Sequence, residues 1–308
     1  MKKLLVMDKL FVILLVVTIS LCNTVYAGPP LPTHNVEGNS GVFITSTAYL
    51  ANPPAEGELF GMPSFSVSAA FLRDKDFQSL AVTENIAGRF ELGYAIERFG
   101  LGDWPDNVRT IVPTFDVSEV YLHNFNLRYM FIEEGGLDCE WMPAMTFGTH
   151  FKWNDGLSKV NRQLGGLCNS LGCDHYFGTD FTMVASKTIK DLLPNPVILS
   201  AGLRNGDAIH TGLLGFAGER ETTFEGSIIY FLTDKLLFAT EYRQKPHLAD
   251  QYSAGGMHLV RKENDWWDLC LAYILNDNLT IAAGYANFGN ILNHKEDSVF
   301  AFQVKYEF

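Results

Sequence analysis

The sequence predicts an all-β chain that closes into an antiparallel transmembrane β-barrel of about twelve strands, within a range of roughly 10–14. Three observations carry that prediction: segment after segment alternates apolar and polar residues, the chain opens with a secretory leader, and no later apolar run reaches membrane-helix length. Strict alternation marks a strand with one apolar and one polar face. In SVFAFQVKYEF, residues 298–308, Phe300, Phe302, Val304, Tyr306 and Phe308 share one face, while Ala301, Gln303, Lys305 and Glu307 share the other. A soluble sheet would bury the aromatic face; lipid is the other medium that can receive it.

The leader is expected over residues 1–27. Lys2 and Lys3 precede an apolar stretch from Leu10 to Leu21, and Val25-Tyr26-Ala27 ends it as a cleavage site. The stretch is too short for a spanning helix, which needs about 20 apolar residues, so a cleaved signal peptide is predicted. Leu21 stands before Cys22 where lipidation requires a small residue. The domain plan is then signal peptide 1–27, an N-terminal segment 28–63 that is a plug, a periplasmic arm or a first strand, and a barrel 64–308. Composition agrees, with 47% hydrophobic residues, 13% aromatic residues and 27 glycines. Removing Lys2, Lys3, Lys9 and Asp8 from 23 basic and 35 acidic residues leaves 20 and 34, a net charge of −14. Such acidity excludes nucleic acid as a partner.

Strands are expected at 64–72, 77–84, 89–98, 119–131, 142–153, 176–187, 196–204, 222–232, 236–243, 266–275, 279–288 and 298–308. MTFGTHFKW is the clearest: Met145, Phe147, Thr149, Phe151 and Trp153 face one way, and Thr146, Gly148, His150 and Lys152 the other. The connections sort by length. TDK at 233–235 and NDN at 276–278 are tight, whereas 154–175, 205–221 and 244–265 are long, which matches short periplasmic turns and long outer loops. VFITSTAYL, 42–50, is strand-like but lacks a partner of the right parity. With this orientation Trp153, Tyr242 and Trp267 fall near the outer rim, and Trp141, Tyr230, Tyr273, Tyr306 and Phe308 near the inner one, as interfacial belts require.

NVEGNSG at 35–41, ELGYAIERFGLG at 91–102, GLLGFAGER at 212–220, FEGSIIYFL at 224–232, EYRQKP at 241–246, DWWD at 265–268 and GYANFGNI at 284–291 resemble the domain-of-unknown-function family 3034 of Gram-negative bacteria. The resemblance spans most of the mature chain and implies a barrel in the outer membrane; the family carries no established activity to transfer. The Cys-bearing loop 154–175 departs from its pattern. The final strand, with Phe302, Val304, Tyr306 and Phe308 on one face, is similar to the signal read by the outer-membrane barrel assembly machinery. That machinery, periplasmic chaperones and outer-membrane lipid are the partners this implies.

Charged residues of inward parity gather in the outer half of the lumen: Glu97, His150, Lys152, Asp180, Arg204, Glu225, Glu241, Arg243 and Asp268. A ring of mixed sign serves as a selectivity constriction, because a narrow low-dielectric passage concentrates field lines; equally, it can close the lumen with ion pairs. Small inward residues, including Gly93, Ala95, Gly148, Gly178, Gly202, Ala239, Ala272, Ala282 and Gly284, leave room for a narrow pore or a plug. Cys168 and Cys173 are expected to form a disulfide in an oxidising compartment; a metal pair with His175 is the rival and lacks further ligands, so no metal is assigned. No cofactor or catalytic residue is assigned either. His123 has lipid-facing parity while Ser118 of the same strand faces the lumen, and GDWPDN and GLLGFAGER lack the strand-to-helix context of a phosphate loop. The functional expectation is a narrow porin-like channel for passive transport of a small solute. The alternatives are a non-transporting accessory barrel for envelope assembly or polymer export and, third, an outer-membrane enzyme.

Overall fold

The computed structural model describes residues 31, 33–248, 253–254, 257–258, 264–291 and 294–308; the leader lies outside them. Twelve strands close into one antiparallel barrel. They are β1 Ser64–Phe71, β2 Asp76–Ile86, β3 Phe90–Gly100, β4 Glu119–Ile132, β5 Ala144–Asp155 and β6 Phe177–Ile189. There follow β7 Val197–Ala208, β8 Phe216–Phe231, β9 Leu236–Arg243, β10 Trp266–Ile274, β11 Leu279–Asn287 and β12 Val299–Glu307. Each strand pairs with its neighbours in sequence, and β12 closes on β1 through the register Phe302↔Ala69 and Val304↔Val67. Closure leaves no unpaired sheet edge, the condition for a sheet to sit in hydrocarbon.

The expected strands coincide with these to within a few residues, except at β8. That strand begins at Phe216 rather than 222, because its pairing with β7 shifts register between Phe216 and Glu221. The irregularity breaks the alternation by which a strand is read from sequence.

Outward positions carry the large apolar side chains. Phe300, Phe302, Val304 and Tyr306 on β12, and Phe147, Phe151 and Trp153 on β5, are exposed, while the residues between them are buried or half-buried. An apolar surface that encircles the molecule is stable only against lipid. Trp141, Tyr273, Tyr306 and Phe308 are exposed near the end that carries the tight turns, hereafter the inner end; Trp153, Tyr242 and Trp267 are exposed near the outer end. Among the described residues no helix is long and apolar enough to cross a membrane.

The outer end is capped by its loops. Helices α1 Trp104–Arg109, α2 Leu157–Gln163 and α3 Leu167–Ser170 sit there. Leu101, Phe115, Leu157, Val160, Leu213 and Phe216 pack into one apolar cluster beneath them. The segment 42–50 is not a wall strand. Together with the residues before it, it lies inside the barrel, where Val42 to Leu50 are all buried.

Candidate functional site

The lumen is occupied from both ends. From the inner end, residues 33–51 enter as a short hairpin in which His34–Asn35 pair with Asn39–Ser40. Gly38 turns the hairpin at φ +84°, a left-handed value that favours glycine. The turn sits directly against the wall: a β-carbon on Gly93 would overlap the Gly38 carbonyl oxygen. Inward glycine thus makes room for a peptide rather than for water. Gly284 does the same for the Phe43 ring, against which an added β-carbon would sit at 3.1 Å.

The wall residues that face this inner segment bind its main chain. Gln303 accepts from His34 N–H at 2.9 Å and donates to the His34 carbonyl at 2.6 Å. The Glu241 carboxylate accepts from the backbone N–H groups of Phe43, Ile44 and Thr45 at 2.7–3.2 Å and from the Thr45 hydroxyl at 2.6 Å. Glu91 accepts from Ser40 N–H and Oγ and from Ala51 N–H, and pairs with Arg128 at 2.7 Å. Arg128 in turn donates to the Thr47 carbonyl. Asn126 donates to the Glu37 and Gly38 carbonyls at 2.6 and 2.9 Å.

At the tip of the hairpin stands Glu37. Its carboxylate is paired with Lys152 at 2.8 Å, Arg204 at 3.1 Å and Arg243 at 3.1 Å. Asp180 pairs with Lys152 at 2.9 Å and Arg204 at 3.1 Å, and Glu225 with Arg204 at 3.0 Å. Three cations and three carboxylates therefore neutralise one another in a cluster closed to solvent. Burial alone would raise the Glu37 carboxyl, but Arg204, Arg243 and Lys152 outweigh it and hold the group well below the usual carboxylate range.

From the outer end the loop Ile209–Gly215 dips inward to meet this cluster. Lys152 Nζ donates to the Thr211 carbonyl at 2.9 Å, and Asn154 donates to the Gly212 and Leu213 carbonyls, each at 2.9 Å. Lys152 therefore touches the inner segment and the outer loop at once.

The nine lumen residues expected from sequence all point inward and are all buried, but they do not form one water-lined ring. Lys152, Asp180, Arg204, Glu225 and Arg243 join the cluster around Glu37. His150 instead bonds Asn126 at 2.6 Å and Thr182 at 2.8 Å, and Glu97 accepts from Asn124 at 2.8 Å. Asp268 faces Glu241 across the β9–β10 pair. Sequence reasoning did not single out Glu37, Glu91 or Arg128, although Glu37 stands in NVEGNSG and Glu91 opens ELGYAIERFGLG. His123 bonds Tyr94 at 2.8 Å and stacks on Trp153, an interfacial arrangement at the outer rim.

The expected disulfide is absent: Cys168 and Cys173 are free thiols. Cys173 N–H bonds the Cys168 carbonyl at 3.0 Å, and its Sγ turns toward Gly215 and the His175 carbonyl. Burial pushes the Cys168 thiol up to about 12, with Cys173 adding to the shift. On the last strand, the Phe308 ring packs edge-on against Phe65 at 5.5 Å and Tyr306 at 4.9 Å.

A closed antiparallel wall, apolar outside and polar within, defines an outer-membrane-type β-barrel. Residues 32–304 match the family described as a protein of unknown function, DUF3034. The chain belongs to that family. No curated protein matches it. Among solved structures it is similar to the KdgM porin, at 10% identity and TM-score 0.48 over 80% of this chain and 99% of that one. It is also similar to the NanC porin, at 8% identity and TM-score 0.45 over 80% and 98%. A third likeness is to the toluene transporter TodX of Pseudomonas putida, at 10% identity and TM-score 0.41 over 90% and 98%.

Proposed function

We propose that this protein is a porin-like barrel of the Gram-negative outer membrane that passes a small solute, and that residues 33–51 act as a plug holding it closed at rest. The observation that carries this reading is the way the plug is held. It is tied to the wall by buried carboxylates and guanidinium groups acting on main-chain atoms, with Glu37 at the tip. A buried ion cluster is a weak source of stability, since apolar residues of equal volume do as well or better; it is a better device for fixing one arrangement of a chain among others. Opening consists of the hairpin leaving its place on the wall, which uncovers Arg204, Arg243, Glu225 and Glu241 as a mixed-charge constriction. Secretion through a cleaved leader and assembly through the Phe302–Phe308 strand complete the reading.

The test is conductance in planar bilayers. Wild-type protein should be predominantly closed, and Gly93→Val, whose side chain collides with Gly38, should open it, as should deletion of residues 33–51. Arg204→Gln with Arg243→Gln in the opened barrel should shift selectivity toward cations. Folded variants that stay silent would overturn the channel and favour a non-transporting accessory barrel, the reading that a lumen occupied from both ends otherwise supports.

A further inference from the structure

At the tip of the hairpin the barrel wall recognises the plug in three ways. It binds main-chain carbonyls: Ser79 Oγ donates to Val36 at 2.6 Å, and Asn126 to Glu37 and Gly38 at 2.6 and 2.9 Å. It binds one side chain. From Asn35 to Asn39, the Glu37 carboxylate is the side chain that the wall engages through polar contacts among the described residues. Asn35 and Asn39 turn their side-chain oxygens back onto the plug itself, to the Glu37 N–H and the Ser46 hydroxyl. Third, it demands glycine after that acid, because a β-carbon on Gly38 would lie 2.9 Å from the Tyr94 carbonyl oxygen.

Bonds to the main chain accept any sequence and supply affinity, whereas a side-chain pocket supplies choice. The pocket here is cationic. Without Glu37, Lys152, Arg204 and Arg243 face Asp180 and Glu225 alone, and a guanidinium cannot shed its charge. Glu97 lines the same cavity as Glu37, but Asn124 holds it and it joins no ion pair among the described residues. An uncompensated buried charge is strongly unfavourable, so an occupant that replaces the plug brings a carboxylate of its own.

We propose that the plug occupies the solute site as a mimic of the solute, and that the solute is a short peptide with an acidic side chain followed by glycine. This rests on the reading of residues 33–51 as a removable plug. A bare carboxylic acid answers the cations but leaves Ser79 and Asn126 without carbonyls to bind. A neutral peptide does the reverse. An acidic residue followed by glycine within a peptide satisfies both.

The probe is the pentapeptide of residues 35–39, blocked at both ends and titrated by calorimetry into protein in lipid nanodiscs. Two receptors are used, the full-length Glu37→Gln variant and the chain lacking residues 33–51, with heat-modifiable migration confirming each barrel. The peptide should bind both about tenfold more tightly than its counterpart with glutamine in place of glutamate, the scale of a charge-assisted hydrogen bond lost. Wild-type protein, whose own hairpin fills the site, should bind it far more weakly. Arg204→Gln combined with Arg243→Gln should erase the preference for glutamate, whereas Ser79→Ala should weaken both peptides alike. Equal affinity for the two peptides would show that water answers the cations and overturns the proposal. So does undiminished binding of butyrate, of the peptide with alanine in place of glycine, or of the probe to wild-type protein. Binding without conductance keeps the site and sinks the channel; an opened barrel that conducts but binds no peptide sinks the site alone.

Discussion

The two halves of the lumen are filled by opposite chemistry. In the inner half a peptide hairpin is held by directional bonds from Gln303, Glu91 and Arg128 to named main-chain atoms. In the outer half the loops close over an apolar cluster of Phe115, Leu157, Val160 and Phe216, where contact is non-directional. Directional bonds specify one register and fail sharply when a partner is lost, because the other partner stays buried and unpaired. Apolar packing degrades in proportion to the volume removed. The inner half is therefore the switchable one, and the outer half a lid whose loss is graded.

The largest effect should come from Glu91→Ala, which strands buried Arg128 and frees Ser40 and Ala51; a loss of about 3–5 kcal/mol is expected on urea unfolding of the folded barrel. Adding Arg128→Met should recover part of that loss, and failure to recover any would mean that the main-chain bonds, not the unpaired charge, dominate. Next, Phe147→Arg sets the scale of the lipid face, at about 2–4 kcal/mol near the midplane, and an unchanged unfolding curve would contradict the lipid assignment of β5. Smaller again, Leu157→Ala in the outer cluster should cost about 2 kcal/mol. Its signature should be faster hydrogen exchange confined to the outer loops, whereas spread into β4 and β5 would show that cap and wall unfold together. At the bottom of the scale, Lys159→Ala breaks an exposed pair with Asp116 and should leave the melting temperature where it was, since surface pairs contribute little.

A separate measurement addresses the last strand. Phe308→Asp should leave secretion intact while reducing the heat-modifiable barrel recovered in outer-membrane fractions. Phe308 is 57% exposed and its ring packs edge-on against Phe65 and Tyr306, so lost packing would not explain a severe defect.

The wall was legible because its rule is local. A strand sends successive side chains to opposite faces, so Phe147 and His150 could be assigned to lipid and lumen from their spacing alone, and the tight turns and long loops then fixed the direction of each strand. The rule failed where the chain departs from it, at the irregularity after Phe216 and in Val42–Leu50, whose alternation is real but serves contacts on all sides within the barrel. It could also say that Lys152 and Arg204 point inward without saying what they meet. Lys152 finds Glu37 across 115 residues of sequence and Glu241 finds Phe43 across 198. In an open lumen these would be hydrated charges; here they bind a peptide.

Sequence by itself determined the barrel, the face taken by the side chains of its regular strands and the mixed-charge, small-residue character of the interior, because all three follow from period and composition along the chain. Only the tertiary structure decided what fills that interior, which charges pair, and that Cys168 and Cys173 are free thiols. Those outcomes depend on which residues closure of the ring brings opposite one another, a distance that no local pattern encodes.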